Sequence, residues 1–183
     1  MNAKTSFPKQ VLVMAVVLVG MVLTSPTSWA QEKHPLRYKL PASAAKYLQQ
    51  YKIDAGDKPE HFVRIYEIER IYPPGVLVLE GVNVVRERIA GFSDYTDING
   101  PNSGYTTWFL EDGNKVYART GGTAQTSVAA DGTKRSTTSV VLEITSGTGK
   151  FKGIRGIVRS SLEFDPAAGR LDTNSVGEYW LEQ

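Results

Sequence analysis

Two stretches hold the residues whose types and spacing could do chemistry. The first is "ITSGTGKFKGIRG", Ile144–Gly156, where four glycines sit among Lys150, Lys152 and Arg155. A phosphate loop requires G-x-x-x-x-G-K-[ST], so that backbone N–H groups cradle the phosphate and a hydroxyl holds magnesium. Here Phe151 follows Gly149-Lys150, and Ile144 stands where the first glycine belongs. The dinucleotide pattern G-x-G-x-x-G fails too, because Lys152 takes the third glycine position. Both motifs need a helix next. The residues after the glycines instead place Ile154, Val158, Leu162 and Phe164 on one alternating face, the period of a strand. The segment therefore reads as bent backbone. Gly147 and Gly149 allow positive φ, Gly153 and Gly156 remove side chains where a strand coils, and Phe151 plugs an end of the core. Lys150, Lys152 and Arg155 are then solvated.

The second stretch is "FVRIYEIE", Phe62–Glu69. As a strand it puts Val63, Ile65, Glu67 and Glu69 on one face, and Phe62, Arg64, Tyr66 and Ile68 on the other. A carboxylate facing an apolar interior has its pKa raised by desolvation unless it is paired. Such a group is a ligand anchor or a general acid–base. The alternative is an interior glutamate tied to an Arg or Tyr of a neighbouring strand. His34 and His61 are isolated, with no H-x-H or H-E-x-x-H spacing, so no metal site is expected. Ser127 lies outside any G-x-S-x-G elbow. No cofactor motif is present. Trp108, Phe109, Tyr117, Tyr179 and Trp180 are strand aromatics that suit core or girdle positions.

The elements that must position these residues start after a leader. Lys4 and Lys9 precede an apolar run, Val11–Leu23, and Ser28–Ala30 supplies small residues for a cleavage site. This reads as a signal peptide over 1–30, cut between Ala30 and Gln31. The expectation is an exported protein, periplasmic or secreted, with no stable membrane insertion after cleavage. Lys4 and Lys9 account for the whole formal charge of +2, so the rest of the chain carries equal numbers of acidic and basic residues. A neutral chain argues against nucleic acid as a partner. Without cysteine, the fold must rest on packing and backbone pairing.

Residues 31–60 read as an N-terminal arm, a short helix from Ser43 to Tyr51, and a linker. From His61 to Gln183 the pattern is strand and turn. Val76–Val85 is one strand, Phe92–Gly104 a long loop, and "DGN" and "DG" mark hairpins at Asp112 and Asp131. Gly121-Gly122 reads as a bulge or bend. "DPAAG", Asp165–Gly169, joins the last two strands. Seven or eight short strands indicate an all-β barrel or sandwich.

The glycine segment followed by a strand resembles the late barrel segment of allene oxide cyclases and of plant dirigent proteins. "VRIYEIE", Val63–Glu69, resembles the first strand of the cyclases. The resemblance covers Phe62 to Leu181. It implies a small closed antiparallel eight-stranded β-barrel of lipocalin-like shape, preceded by the short helix. It also implies Glu67 where the cyclases carry a glutamate, Glu69 in place of an asparagine, Thr107 in place of a pocket cysteine, and a pocket tyrosine falling near Lys134. Most of the polar cyclase site is therefore missing, and so is the acidic set of the dirigent proteins. Glu67, Glu69, Thr107 and Tyr117 form the expected ligand-binding set, with no catalytic residue assigned. The expected function is binding of a small apolar or aromatic ligand without catalysis and without a cofactor. The alternatives are a cyclase or stereochemical guide for a reactive molecule, and an interaction module. A dimer or trimer of such domains is compatible with this reading.

Overall fold

The computed structural model describes residues 31–165 and 170–182. The expected signal peptide, with its expected cut after Ala30, and most of the "DPAAG" turn lie outside them. Ten strands account for most of the described chain. They are β1 (His34–Leu40), β2 (Ala45–Asp54), β3 (His61–Ile71), β4 (Val78–Leu79), β5 (Val82–Thr96), β6 (Gly100–Leu110), β7 (Lys115–Val128), β8 (Lys134–Gly147), β9 (Ile154–Asp165) and β10 (Arg170–Leu181). Among the described residues helix is confined to two 3-10 turns, Ala42–Ala44 and Gly149–Phe151.

The strands form one antiparallel sheet in the order β1-β10-β9-β8-β7-β6-β5-β3-β2, with β4 paired to β5 alone. The expectation of a closed eight-stranded barrel is corrected on both counts. The sheet has ten strands, and its ladder stays open between β1 and β2. It nevertheless coils strongly. The ring of Tyr38 on β1 lies 6.4 Å from that of Trp108 on β6, near the middle of the strand order. Side chains from β1, β5, β6, β7, β8, β9 and β10 share one core. Trp108, Val84, Ile144, Ile154 and Val158 are fully buried in it.

The expected helix at Ser43–Tyr51 is also corrected. One 3-10 turn follows Pro41, and the chain then enters β2, paired along β3 from Ala45↔Arg70 to Asp54↔Phe62. Pairing with β3 satisfies one row of backbone groups, whereas a helix of this length would be marginal in isolation. A bulge at Leu48 breaks the alternation that would have marked the strand.

Three local expectations are corrected. Glu80 and Gly81, with φ of +47° and +73°, split Val76–Val85 into β4 and β5. Asp97 and Ile98, at +48° and +60°, turn β5 straight into β6 where a long loop was expected. Gly121 and Gly122 pair in unbroken register with Val141 and Val140, so the expected bulge is absent there. The register shift in this pair of strands falls between Tyr117 and Ala118. Gly122 is required for another reason, since a Cβ there would lie 2.2 Å from the Ser139 carbonyl oxygen.

The glycine segment is structural. Phe151 is fully buried and closes one end of the core. Gly149 takes φ +54°, and the space a Cβ would fill is held by Asn114 Oδ1 at 2.2 Å. Lys150 pairs with Asp112 at 3.7 Å, and Arg155 with Glu182 at 3.1 Å. Gly147 does not adopt positive φ. It is instead a close approach, 2.7 Å from the Phe151 carbonyl oxygen to a built Cβ.

Candidate functional site

The inner face of the coiled sheet encloses a cavity of about 520 Å³. Strand alternation decides what faces it. On β3 the inward residues are Arg64, Tyr66, Ile68 and Arg70. On β5 a bulge between Val84 and Arg86 reverses the alternation, so that Glu87 and Ile89 turn inward. Apolar wall comes from Ile68, Ile89, Val140, Leu142 and Leu162. Hydroxyls come from Thr106, Thr120, Ser136, Thr138 and Ser160. Ile98 reaches the cavity from the β5–β6 turn. Gly91 makes room on β5 for the Tyr66 ring, whose Cζ would lie 2.4 Å from a Cβ at that position.

Deep in the cavity is a polar cluster. Arg70 Nη1 donates to Glu87 Oε2 at 3.0 Å, and Trp108 Nε1 donates to Glu87 Oε1 at 3.0 Å. Burial, with the Glu87 charge beside it, pushes the Tyr38 phenol up to about 12. Burial likewise pushes Tyr66 up to about 12, helped by Tyr95 and Tyr47. These phenols stay neutral near pH 7 and serve as hydrogen-bonding surfaces. Two buried polar atoms on this wall have no hydrogen-bond partner among the described residues, Thr106 Oγ1 and Arg64 Nε. The arrangement can hold a molecule with an apolar body and fix a few polar atoms on it.

None of the residues expected to bind ligand lines this cavity. Glu67 faces outward, where Arg88 Nε lies 2.9 Å from its carboxylate and Gln49 Nε2 donates to it at 3.2 Å. Glu69 faces outward as well, between Lys46 at 3.1 Å and Arg86 at 3.4 Å. The Lys46 hydrogen bond holds the Glu69 carboxyl below its ordinary value. Register then aligns Glu69, Arg88, Thr107 and Tyr117 in one row across four strands. The expected set is thus brought together, but on the outer surface. Lys134 is exposed at the start of β8 and pairs with Asp97 at 3.0 Å. The expectation of an interior glutamate tied to arginine describes Glu87 instead. Apolar residues on both faces of β3 hide which face is inner, and the β5 bulge hides Glu87.

A second hollow, about 690 Å³, lies on the outer face over Ala90 and Gly104. Tyr51, Ile65, Phe92 and Tyr105 border it, all at least 40% exposed. His34 stacks on Tyr179 at 5.0 Å, and His61 sits between Asp57 and Asp94. Neither lines the cavity. No group of His, Asp and Glu suited to a metal ion occurs among the described residues. No helix among them is long and apolar enough to cross a membrane. No protein-family model, curated protein or solved structure matches this chain.

Proposed function

We propose that this is an exported protein that holds a small apolar or aromatic molecule inside its coiled sheet, without catalysing its conversion. The observation that carries the reading is the cavity itself, about 520 Å³ with a wall of Ile68, Ile89, Val140, Leu142 and Leu162. That volume lies within the range of small-molecule sites. The absence of catalysis is supported by what Glu87 does. It is the carboxylate on the wall, and both of its oxygens are engaged by Arg70 and Trp108. Export rests on the leader-like segment before Gln31.

The test uses N-phenyl-1-naphthylamine, a neutral aromatic dye whose fluorescence rises in an apolar site. Wild-type protein should bind it in a saturable manner. Val140→Phe, which fills the cavity from β8, should weaken that binding at least about tenfold while the protein stays folded. Absence of saturable binding, or equal binding by the folded variant, overturns the proposal. Native mass spectrometry of protein isolated after export should reveal a retained small molecule.

A further inference from the structure

We propose that the molecule held in the cavity carries a carboxylate, and that Arg64 receives it. The inference rests on the cavity-binding reading above and adds the chemical class of the ligand. Every other cation at this cavity is matched. Arg70 pairs with Glu87 at 3.0 Å, and Lys46 turns outward to Glu69 at 3.1 Å. Arg64 lies on the inner face of β3, and no carboxylate pairs with it among the described residues. Its Nη1 donates only to Gln50 Oε1, at 3.5 Å, the outer limit of a hydrogen bond. Its Nε is buried and has no partner.

A guanidinium N–H removed from water without an acceptor is unfavourable, so the unliganded protein is left with a donor in want of an anion. The surroundings fix that donor in place. The Arg64 guanidinium carbon lies 4.8 Å from the centre of the Tyr66 ring and 5.4 Å from that of Tyr47. The two rings themselves meet edge to face at 6.0 Å. Held by rings, the guanidinium keeps its place at the cavity, and its planar fork suits a carboxylate. One cation and neutral phenols suit a monoanion. A phosphate dianion would call for further cations or backbone N–H groups. The apolar wall of Ile68, Ile89, Val140 and Leu142 then takes the body of the same molecule.

The experiment compares 2-naphthoate with its neutral amide, 2-naphthamide, by calorimetry on wild type, Arg64→Gln and Arg64→Lys. Wild type should prefer the acid by at least about tenfold, the worth of a charge-assisted pair. Arg64→Gln should abolish the preference for the acid over the amide. Arg64→Lys should restore part of it, because an ammonium keeps the charge and lacks the fork. Equal affinity of wild type for acid and amide overturns the inference, as does a preference that survives in Arg64→Gln. Failure of naphthoate to bind where the neutral dye does bind overturns it too. Should Arg64→Gln not fold, the wild-type comparison and Arg64→Lys decide it. Binding of the neutral dye is independent of any acid, so a failed carboxylate preference leaves the cavity reading standing, and a failed dye titration removes both.

Discussion

Arg70 and Glu87 are register partners on β3 and β5, with Nη1 3.0 Å from Oε2 and less than a tenth of either residue exposed. Removing one member strands the other charge out of water. Glu87→Gln should therefore destabilise the protein by about 3–5 kcal/mol. The double variant Arg70→Met, Glu87→Leu should cost less than Glu87→Gln alone, because no buried charge remains. Urea denaturation of the three proteins checks this, and a Glu87→Gln cost within about 0.5 kcal/mol of wild type would show that the pair adds nothing.

His61 Nε2 lies 2.8 Å from Asp94 Oδ1, and its Nδ1 meets Asp57. The Asp94 hydrogen bond, with that of Asp57, raises the His61 pKa above the ordinary value of 6.5. The folded state thus keeps this proton to higher pH than the unfolded state does. The stability His61 lends is complete below pH 6.5 and is lost as pH rises through the raised folded value. Thermal midpoints measured from about pH 5.5 to about pH 9 should show this decline in wild type and a flatter profile in His61→Gln.

A Cβ at Gly156 would fall 2.5 Å from the Glu178 carbonyl oxygen and 2.9 Å from Ile144 Cδ1. Backbone on one side and a fully buried side chain on the other leave little room to yield. Gly156→Ala should cost about 1–3 kcal/mol, and Gly156→Val more. Exposed Lys152→Ala should change stability by no more than about 0.5 kcal/mol. Lys150→Ala, which loses only a half-exposed pair with Asp112, should cost less than about 1 kcal/mol. Chemical denaturation orders the four variants, and a stable Gly156→Val would refute the close-approach account.

Ile98 stands at φ +60°, a conformation a β-branched residue rarely adopts, and its side chain borders the cavity. Asp97 pairs with Lys134, and Asn99 Oδ1 accepts from the Thr126 N–H at 2.7 Å, so the turn is tied across β7 and β8. Ile98→Gly relieves the backbone and removes a side chain from the edge of the cavity. Stability should shift by no more than about 1 kcal/mol, since strain relief opposes the added chain entropy. Stopped-flow fluorescence should show the naphthylamine dye entering several-fold faster. An unchanged entry rate would mean that the ligand passes elsewhere.

The all-β character, the strand after the glycines and the Phe151 plug were legible because period-two patterning and glycine spacing act locally. Less was legible where tertiary pairing wins. Ala44, Ala45, Tyr47 and Leu48 have helical spacing, yet Ala44 ends a 3-10 turn and β3 recruits the other three into an outer strand with a bulge. Asp97-Ile98 makes a turn usually built from Asn-Gly, while the Asn99-Gly100 pair that signals a turn stands two residues later. The site was obscured by parity. One extra residue near Val85 turns Glu87 inward and the two flanking arginines outward, and β3 offers apolar residues to both sides.

The pairing of β1 with β10 sets the order of assembly. His34 lies opposite Tyr179 and Leu40 opposite Thr173, so the earliest strand of the sheet waits for the last. A chain emerging from its N-terminus can add β2 through β9 hairpin by hairpin, each new strand finding its neighbour close in sequence. β1 alone has no such neighbour, and its inward Leu36, Tyr38 and Leu40 stay exposed until β10 arrives. Long-range closure of this kind makes folding slow, on the millisecond-to-second scale. During that interval a protease or a holding chaperone would find its target at the N-terminal end, and a nascent chain halted before Arg170 would keep that target exposed.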